Sequence, residues 1–489
     1  MAFFNAHIGK WSAFLAGLWL WMLPGWGVFL GASESGQAAA VSSEVAPAAA
    51  VVPAEEGSAA VARLQAELPE RKFPGFDAIL QKALVNGPSI IMREWDAAAA
   101  AEDSRGARAP MLPSLNATVN TGVTYEQRRA PSGSYDRTFT AVLYSVGFYQ
   151  PVYHWGALSD NYKIGQIRRA MAERNIAETR RVLAIDVRRR YFDVILAANG
   201  LRLARENMTR LEEDKKSLEQ LIADGARAPA EIDGANRALD IARPGLEQAE
   251  NQFAALRLSM AQIAGAPDAE FGDLPDAIPA PGDISDALAA LSAGVSAPPS
   301  AQLQNVYDGI SIEKLSFDIN KTRQLPKLGF SASVVQQPDN SNVHEKSLLT
   351  GWNAAFSVNW NIFDGFASQA AKRASLNRLR ALEIQRGQAE QQESSGRRAE
   401  VSRLLVQWRQ LQNDERDLDR ARGGRDLAEQ DFAAGMTSQR AVDDARNGLA
   451  HALQNIYAAR ASFYTELASC LSNRGQDPAV QNNGGPGAR

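Results

Sequence analysis

Side chains able to do chemistry are sparse in this 489-residue chain. Histidines stand only at 7, 154, 344 and 451, in unrelated contexts, so spacing builds no His-based metal or catalytic cluster. The single cysteine, Cys470, excludes an internal disulfide and any zinc site that needs two or four thiolates, and it reads as a small buried residue. Neither a G-x-x-x-x-G-K-S/T loop nor a strand-coupled G-x-G-x-x-G is present, which argues against a nucleotide-driven enzyme. The near balance of 52 basic and 56 acidic residues gives no reason to expect nucleic acid as a partner. The expectation is a protein that is not an enzyme and holds no cofactor or metal. What stands out instead is two carboxylate clusters, each a few residues past a glycine: Glu231 and Asp233 after Gly225, and Asp443 and Asp444 after Gly435. In the first turn of a helix such carboxylates meet the positive end of the helix dipole. Arg188-Arg189-Arg190 reads as a solvated or inter-helix salt-bridge face.

The elements that carry these clusters come in duplicate. Val152-Tyr153 aligns with Ile362-Phe363 at an offset of 210, and the same offset sets Tyr191, Val194, Ile195 and Leu201 on Val401, Leu404, Leu405 and Leu411. It continues through Gly225 on Gly435, Asp233 on Asp443, Leu239 on Leu449 and Phe253 on Phe463. Upstream, Leu112-Pro113-Ser114-Leu115 matches Leu325-Pro326-Lys327-Leu328 at an offset of 213, a length change that suggests a surface loop. Proline is absent from Gly156 to Gly225 and from Gly365 to Gly435, and Val401, Leu404, Leu405, Trp408 and Leu411 follow helical spacing. Each run predicts one helix of about 65 residues, roughly 100 Å long. Return helices are predicted over Pro229–Gly265 and Gln439–Leu471, so each half holds a long helical hairpin of coiled-coil type. Pro244, inside the first return helix, has Gln454 as its counterpart and breaks the equivalence.

Each half also has a pair of segments with a period of two. Leu115, Ala117, Val119, Thr121, Val123 and Tyr125 alternate with polar residues, as do Trp352, Ala354, Phe356, Val358, Trp360 and Ile362. Such strands fit either a membrane-spanning sheet or a sandwich core; their isolation as two hairpins about 200 residues apart favours the membrane. Four strands cannot close a barrel, and open edges cannot persist in lipid, so membrane strands require an oligomer. Two copies give a barrel filled by its own side chains, and three leave a channel. The mean hydropathy of −0.28 excludes a protein of many membrane helices. Residues 1–40 read as a signal peptide, with Lys10 before an apolar run over 11–30, although that run is long enough for an uncleaved anchor. Without a nearby cysteine, an N-terminal lipid is excluded.

Duplicated halves, each with a Leu-Pro-x-Leu strand start, a QPVY or NIFDG strand exit and a long helix ending at Gly225 or Gly435, resemble the TolC family of outer-membrane efflux and type I secretion channel proteins. The resemblance covers about 74 to 471. It implies a mainly α fold with membrane β: duplicated long helical hairpins forming a periplasmic tunnel, plus four strands per chain in a homotrimeric twelve-stranded barrel in the outer membrane of a Gram-negative bacterium. The organisation it implies is a signal peptide (1–40), a flexible segment (41–73), a first repeat (74–264, β-hairpin 114–153, tip near 225–233), an Ala/Pro-rich equatorial connector (265–300), a second repeat (301–471, β-hairpin 327–363, tip near 435–444) and a disordered tail (472–489). It places Gly225, Ala226, Gly435, Met436, Thr437 and Ser438 at tips that dock a periplasmic adaptor (membrane fusion protein), which meets an inner-membrane pump of RND, ABC or MFS class. It places Glu231, Asp233, Asp443 and Asp444 at a constricted entrance, where three copies of Asp444 would form a negative throat. The counterpart of Glu231 is Ala441, so one expected acid is missing. Tyr125, Tyr144, Phe148, Trp352 and Trp360 become an aromatic belt against outer-membrane lipid. Two readings of other classes compete: a periplasmic adaptor or structural coiled coil without a pore, which would need only one helical hairpin, and an extracytoplasmic hydrolase, which lacks a visible nucleophile.

Overall fold

The computed structural model describes residues 54–73, 75–130, 133–265, 274–292, 298–339 and 347–481; the expected signal peptide lies outside them. Four helices lead in: α1 (Ala54–Ala66), α2 (Pro69–Lys72), α3 (Phe76–Asn86) and α4 (Pro88–Arg108). Strands β1 (Ser114–Ala130) and β2 (Gly133–Tyr153) follow, then the long α5 (Ala157–Ala223) and its return α6 (Ile232–Ala264). After α7 (Ser285–Ser292) the plan repeats as α8 (Ala301–Lys321), β3 (Lys327–Asp339), β4 (Ser347–Asn359), α9 (Ala367–Ala433) and α10 (Gln439–Asn473), closed by α11 (Pro478–Gln481).

Both α5 and α9 have 67 residues, about 100 Å of rise. Their burial follows the repeat: Tyr191 and Val401, Val194 and Leu404, and Leu201 and Leu411 are all buried. Along α9, Leu404, Leu411 and Leu418 are buried at seven-residue intervals, a coiled-coil seam against α10. Each strand-to-helix joint uses two consecutive left-handed residues, Trp155 (φ 57°) with Gly156 (φ 84°) and Gly365 (φ 63°) with Phe366 (φ 68°). A non-glycine residue in that region is strained; at the first joint Trp155 is held by its Nε1, which donates to the Pro326 carbonyl at 2.7 Å.

Polar bridges reveal the lateral order of the helices. Toward the sheet, α5 lies between α4 (Arg180 to Glu94, 3.3 Å) and α8 (Arg174 to Asp308, 2.7 Å), and α8 meets α9 (Arg378 to Glu313, 3.0 Å). Toward the far end, α5 lies between α6 (Arg205 to Glu250, 3.0 Å) and α10 (Arg210 to Asn447, 3.3 Å), and α10 meets α9 (Arg446 to Glu429, 3.0 Å). The order is α4-α5-α8-α9 in one half and α6-α5-α10-α9 in the other, so α9 is an edge throughout and α4 and α6 form the opposite edge. The sheet obeys the same order, β1-β2-β3-β4, all antiparallel, with β2 and β3 joining the two hairpins.

Two expectations need correction. The segment 41–73 was expected to be flexible, yet its described part forms α1 and α2, with Leu64 and Leu68 fully buried in the main apolar cluster. The tail 472–489 was expected to be disordered, yet α10 runs to Asn473, α11 follows, and Asp477 is buried. Both pieces pack midway along α5, where apolar burial outweighs the entropy of ordering short segments. The connector joins them: Ile278, Leu288 and Leu291 are buried, Tyr464 Oη donates to the Pro279 carbonyl (3.1 Å), and Glu67 accepts from Gly282 N (3.0 Å).

At the centre of this belt Arg188 is fully buried. Its Nη1 meets Asp477 Oδ2 at 2.6 Å and its Nη2 meets Glu70 Oε1 at 2.5 Å. Burial opposes the charge, but the Asp477 and Glu70 carboxylates outweigh it and hold the guanidinium pKa above its ordinary value. Of the two expectations for this arginine run, a solvated face or an inter-helix salt bridge, Arg188 follows the second, as a buried clasp tying α5 to both terminal segments.

Candidate functional site

The ends of the long helices carry the two surfaces that matter. At one end, the sheet separates residue types by face. Opposed residues in antiparallel strands share a face. Leu115 opposes Phe148, Val119 opposes Tyr144, Phe148 opposes Ala332, and Val334 opposes Trp352. One face therefore carries Leu115, Val119, Val123, Tyr125, Tyr144, Val146, Phe148, Phe330, Trp352 and Phe356, with Phe148–Phe330 and Phe330–Phe356 ring contacts at 6.1 and 5.1 Å. The other face carries Asn116, Thr118, Asn120, Ser145, Ser331, Ser333, Asn353 and Ser357, interrupted by Phe139, Leu143, Tyr149 and Val335. Much of the apolar face is exposed in a single chain, Trp352 at 80%. Such a surface needs a cover. Of the five aromatic residues singled out from sequence, Tyr125, Tyr144, Phe148 and Trp352 share this face, whereas Trp360 lies just beyond β4 and donates its Nε1 to the Gln324 carbonyl at 2.9 Å. Trp155 makes the matching junction contact, and sequence reasoning missed it because it lies outside the alternating segment.

At the opposite end are the tips. Gly225 (φ 74°) and Gly435 (φ 71°) close α5 and α9 with the same pair of hydrogen bonds: Gly225 N to the Ile222 carbonyl and Ala226 N to Leu221, and Gly435 N to Phe432 and Met436 N to Asp431, all 2.8–3.0 Å. This is the Schellman pattern, in which glycine takes the left-handed position that a Cβ would strain. Ser438 precedes α10 with extended backbone and its carbonyl accepts from Ala441 N at 3.0 Å. Ala226, Met436 and Ser438 are exposed and Thr437 is half-buried.

The four tip carboxylates are not gathered within one chain. Glu231 turns back to accept from Ala228 N (3.3 Å) and pairs with Arg227 (3.3 Å), a local cap. Asp233 is exposed at the start of α6, and its carbonyl accepts from Arg237 (3.2 Å). Asp443 accepts from Gln439 at 3.4 Å, while Asp444 is exposed one turn into α10. Among the described residues, no group of His, Cys, Asp or Glu could hold a metal ion, and no helix is long and apolar enough to cross a membrane. Burial pushes the Cys470 thiol up to about 12, which keeps it protonated and unreactive.

Comparison with known proteins fits this two-ended geometry. A family model for outer membrane efflux proteins matches residues 79–266 and 315–470. No curated protein matches significantly by sequence. Among solved structures, the Campylobacter jejuni CmeC outer membrane channel superposes with a TM-score of 0.69 at 12% identity, covering 84% of this chain and 88% of its own. The Vibrio cholerae outer membrane protein VceC gives 0.64 at 13% identity, covering 82% and 96%. The open state of the Neisseria gonorrhoeae MtrE outer membrane channel gives 0.62 at 16% identity, covering 83% and 89%.

Proposed function

Because this chain belongs to the outer membrane efflux protein family, we propose that it is the passive exit duct of a tripartite efflux or type I secretion assembly, spanning the outer membrane as a homotrimer. The observation that carries this reading is the four-stranded sheet with one apolar face and two unpaired edges. In lipid those edges need partners. Edges β1 and β4 differ, as do the α4/α6 and α9 edges below them, so contacts between copies run head to tail and close into a ring. Three copies give twelve strands, enough for a water-filled lumen lined by the Asn, Ser and Thr face. Tyr125, Tyr144, Phe148 and Trp352 then face lipid, and Trp360 anchors the membrane border.

At the far end, the tips Gly225–Ala226 and Gly435–Ser438 dock a periplasmic adaptor, which joins the duct to an energised inner-membrane pump of RND, ABC or MFS class. Asp444, exposed and repeated around the axis, forms the negative constriction, supported at its rim by Asp443, Asp233 and Glu231. A throat of this kind favours cations and binds divalent ions. In planar bilayers the Asp444→Asn variant is expected to pass anions more readily and to lose block by divalent cations. Unchanged selectivity overturns the ring, and a soluble monomer absent from the outer-membrane fraction overturns the duct.

A further inference from the structure

Seven exposed apolar side chains have no role in a single chain. Among the described residues, the helical Ile, Leu, Val, Met and Trp residues more than half exposed are Met92 and Trp95 on α4, Ile241 and Leu258 on α6, and Ile384, Val406 and Leu427 on α9. None lies on α5, α8 or α10, the helices with a neighbour on each side. Among the described helical residues, Ile, Leu, Val, Met and Trp side chains more than half exposed are thus confined to the two lateral edges, while α5 carries only the less exposed Val182 and Leu221.

Their heights along the helices match across those edges. Ile384 is 17 residues into α9, about 26 Å from its sheet-side start. The Ala107 carbonyl accepts from Asn161 Nδ2 (3.5 Å), four residues into α5, and Trp95 lies 12 residues further along α4, about 24 Å from the same level. Met92 is one turn beyond. Measured from the tips, Val406 is 27 residues above the end of α9 and Leu258 is 26 residues above the start of α6, about 41 and 39 Å. Leu427 and Ile241 stand about 9 and 14 Å above the tips on the same count. The Arg205 to Glu250 pair joins residues that are each 18 positions from the tip ends of α5 and α6, so those two helices share one scale, and the repeat carries it to α9, whose equal length ends at Gly435 as α5 ends at Gly225.

A ring generated by rotation alone keeps each copy at its neighbour's height. We propose that these residues form three apolar steps between adjacent copies of this chain: Met92 and Trp95 against Ile384, Leu258 against Val406, and Ile241 against Leu427. The inference rests on the ring reading above and assigns the residues that hold the helical part of that ring together. The helical seams continue those of the sheet, since α4 leads into β1 and α9 follows β4.

Paired cysteines in the full-length, membrane-extracted protein test it. Trp95→Cys with Ile384→Cys, and Leu258→Cys with Val406→Cys, are expected to give covalent dimers and trimers on denaturing gels after oxidation by copper phenanthroline, because a disulfide needs Cα atoms within about 7 Å. Trp95→Cys with Val406→Cys, mismatched in height, is expected to link several-fold less, and buried Cys470 adds no background. Channel conductance in bilayers shows that each variant has assembled. A conducting oligomer whose matched pairs do not link, or link no better than the mismatched pair, overturns the pairing and leaves the duct standing. A protein that forms neither oligomer nor channel overturns both.

Discussion

Arg188 and Arg398 occupy the same position of the two repeats, and the same residue type meets opposite fates. Arg188 is fully buried between Glu70 and Asp477, whereas Arg398 is exposed on α9. The difference is not intrinsic to the helices, which have equal length and equivalent apolar positions. It comes from the single-copy segments: α2 and the chain after α10 bring Glu70 and Asp477 to Arg188 on α5. A duplicated chain thereby becomes asymmetric, with one long helix central and pinned and the other left as an edge for a neighbour.

The largest way to break this comparison is to remove each arginine in turn. Arg188→Ala leaves two carboxylates buried without their cation and is expected to cost about 3–5 kcal/mol, read as a large fall in thermal unfolding temperature and in heat-resistant oligomer. Arg398→Ala should change stability by no more than about 0.5 kcal/mol. Equal effects would mean the repeats are equivalent after all. At the tips the prediction reverses, because the caps are the same. Gly225→Ala and Gly435→Ala should each cost roughly 1–2 kcal/mol, seen as faster amide exchange at residues flanking the altered tip. A smaller asymmetry returns one turn later, where Glu231→Ala should loosen the first tip by roughly 0.5–1 kcal/mol by the same measurement, and the second tip, with Ala441, has no equivalent cap to lose.

Position 400 sharpens the contrast through pH. Glu400 is buried on α9 where α5 has Arg190, and burial raises its pKa despite a hydrogen bond from Asn473. A raised folded-state pKa means the fold binds the proton more tightly than the unfolded chain, so this group's contribution is best at low pH and declines as pH rises through the folded pKa. Glu400→Gln is therefore expected to be slightly more stable than the parent near neutral pH, with the difference vanishing at about pH 4. A difference that grows on acidification would contradict it.

The repeat, the long helices, the strand faces and the glycine caps were legible because each rests on a pattern of many residues. Seven-residue and two-residue periods survive averaging, and an offset of 210 carries the same landmarks across both halves. The resemblance implied an equatorial belt of connector and tails, but the belt's helices and its buried clasp were not legible, for the complementary reason. α2 and α11 have four residues each, too short for periodicity, and Arg188 finds its partners 118 and 289 positions away in segments outside the repeat. The composition of 41–73 and 472–489 read as mobile, although Leu64 and Leu68 were available to bury. The tip carboxylates follow the turns in chain order, but a single chain keeps them on separate hairpins, so any ring belongs to the assembled oligomer.

The pairing of β2 with β3 also bears on the timing of assembly. Gln150 meets Phe330 across the central seam, so about 180 residues must emerge after β2 before its partner exists. Until then β1 and β2 stand as a two-stranded ribbon, marginal by itself, with an apolar face and an edge open to any passing strand. Contacts of such sequence separation form slowly. The helical hairpins, whose contacts span fewer residues (45 for Arg205 to Glu250, 63 for Arg403 to Glu466), are free to fold first and hold the two ribbons at one end. Sheet completion is then the late, committing step, and it is the stage at which this chain is most exposed to aggregation on its way to the membrane.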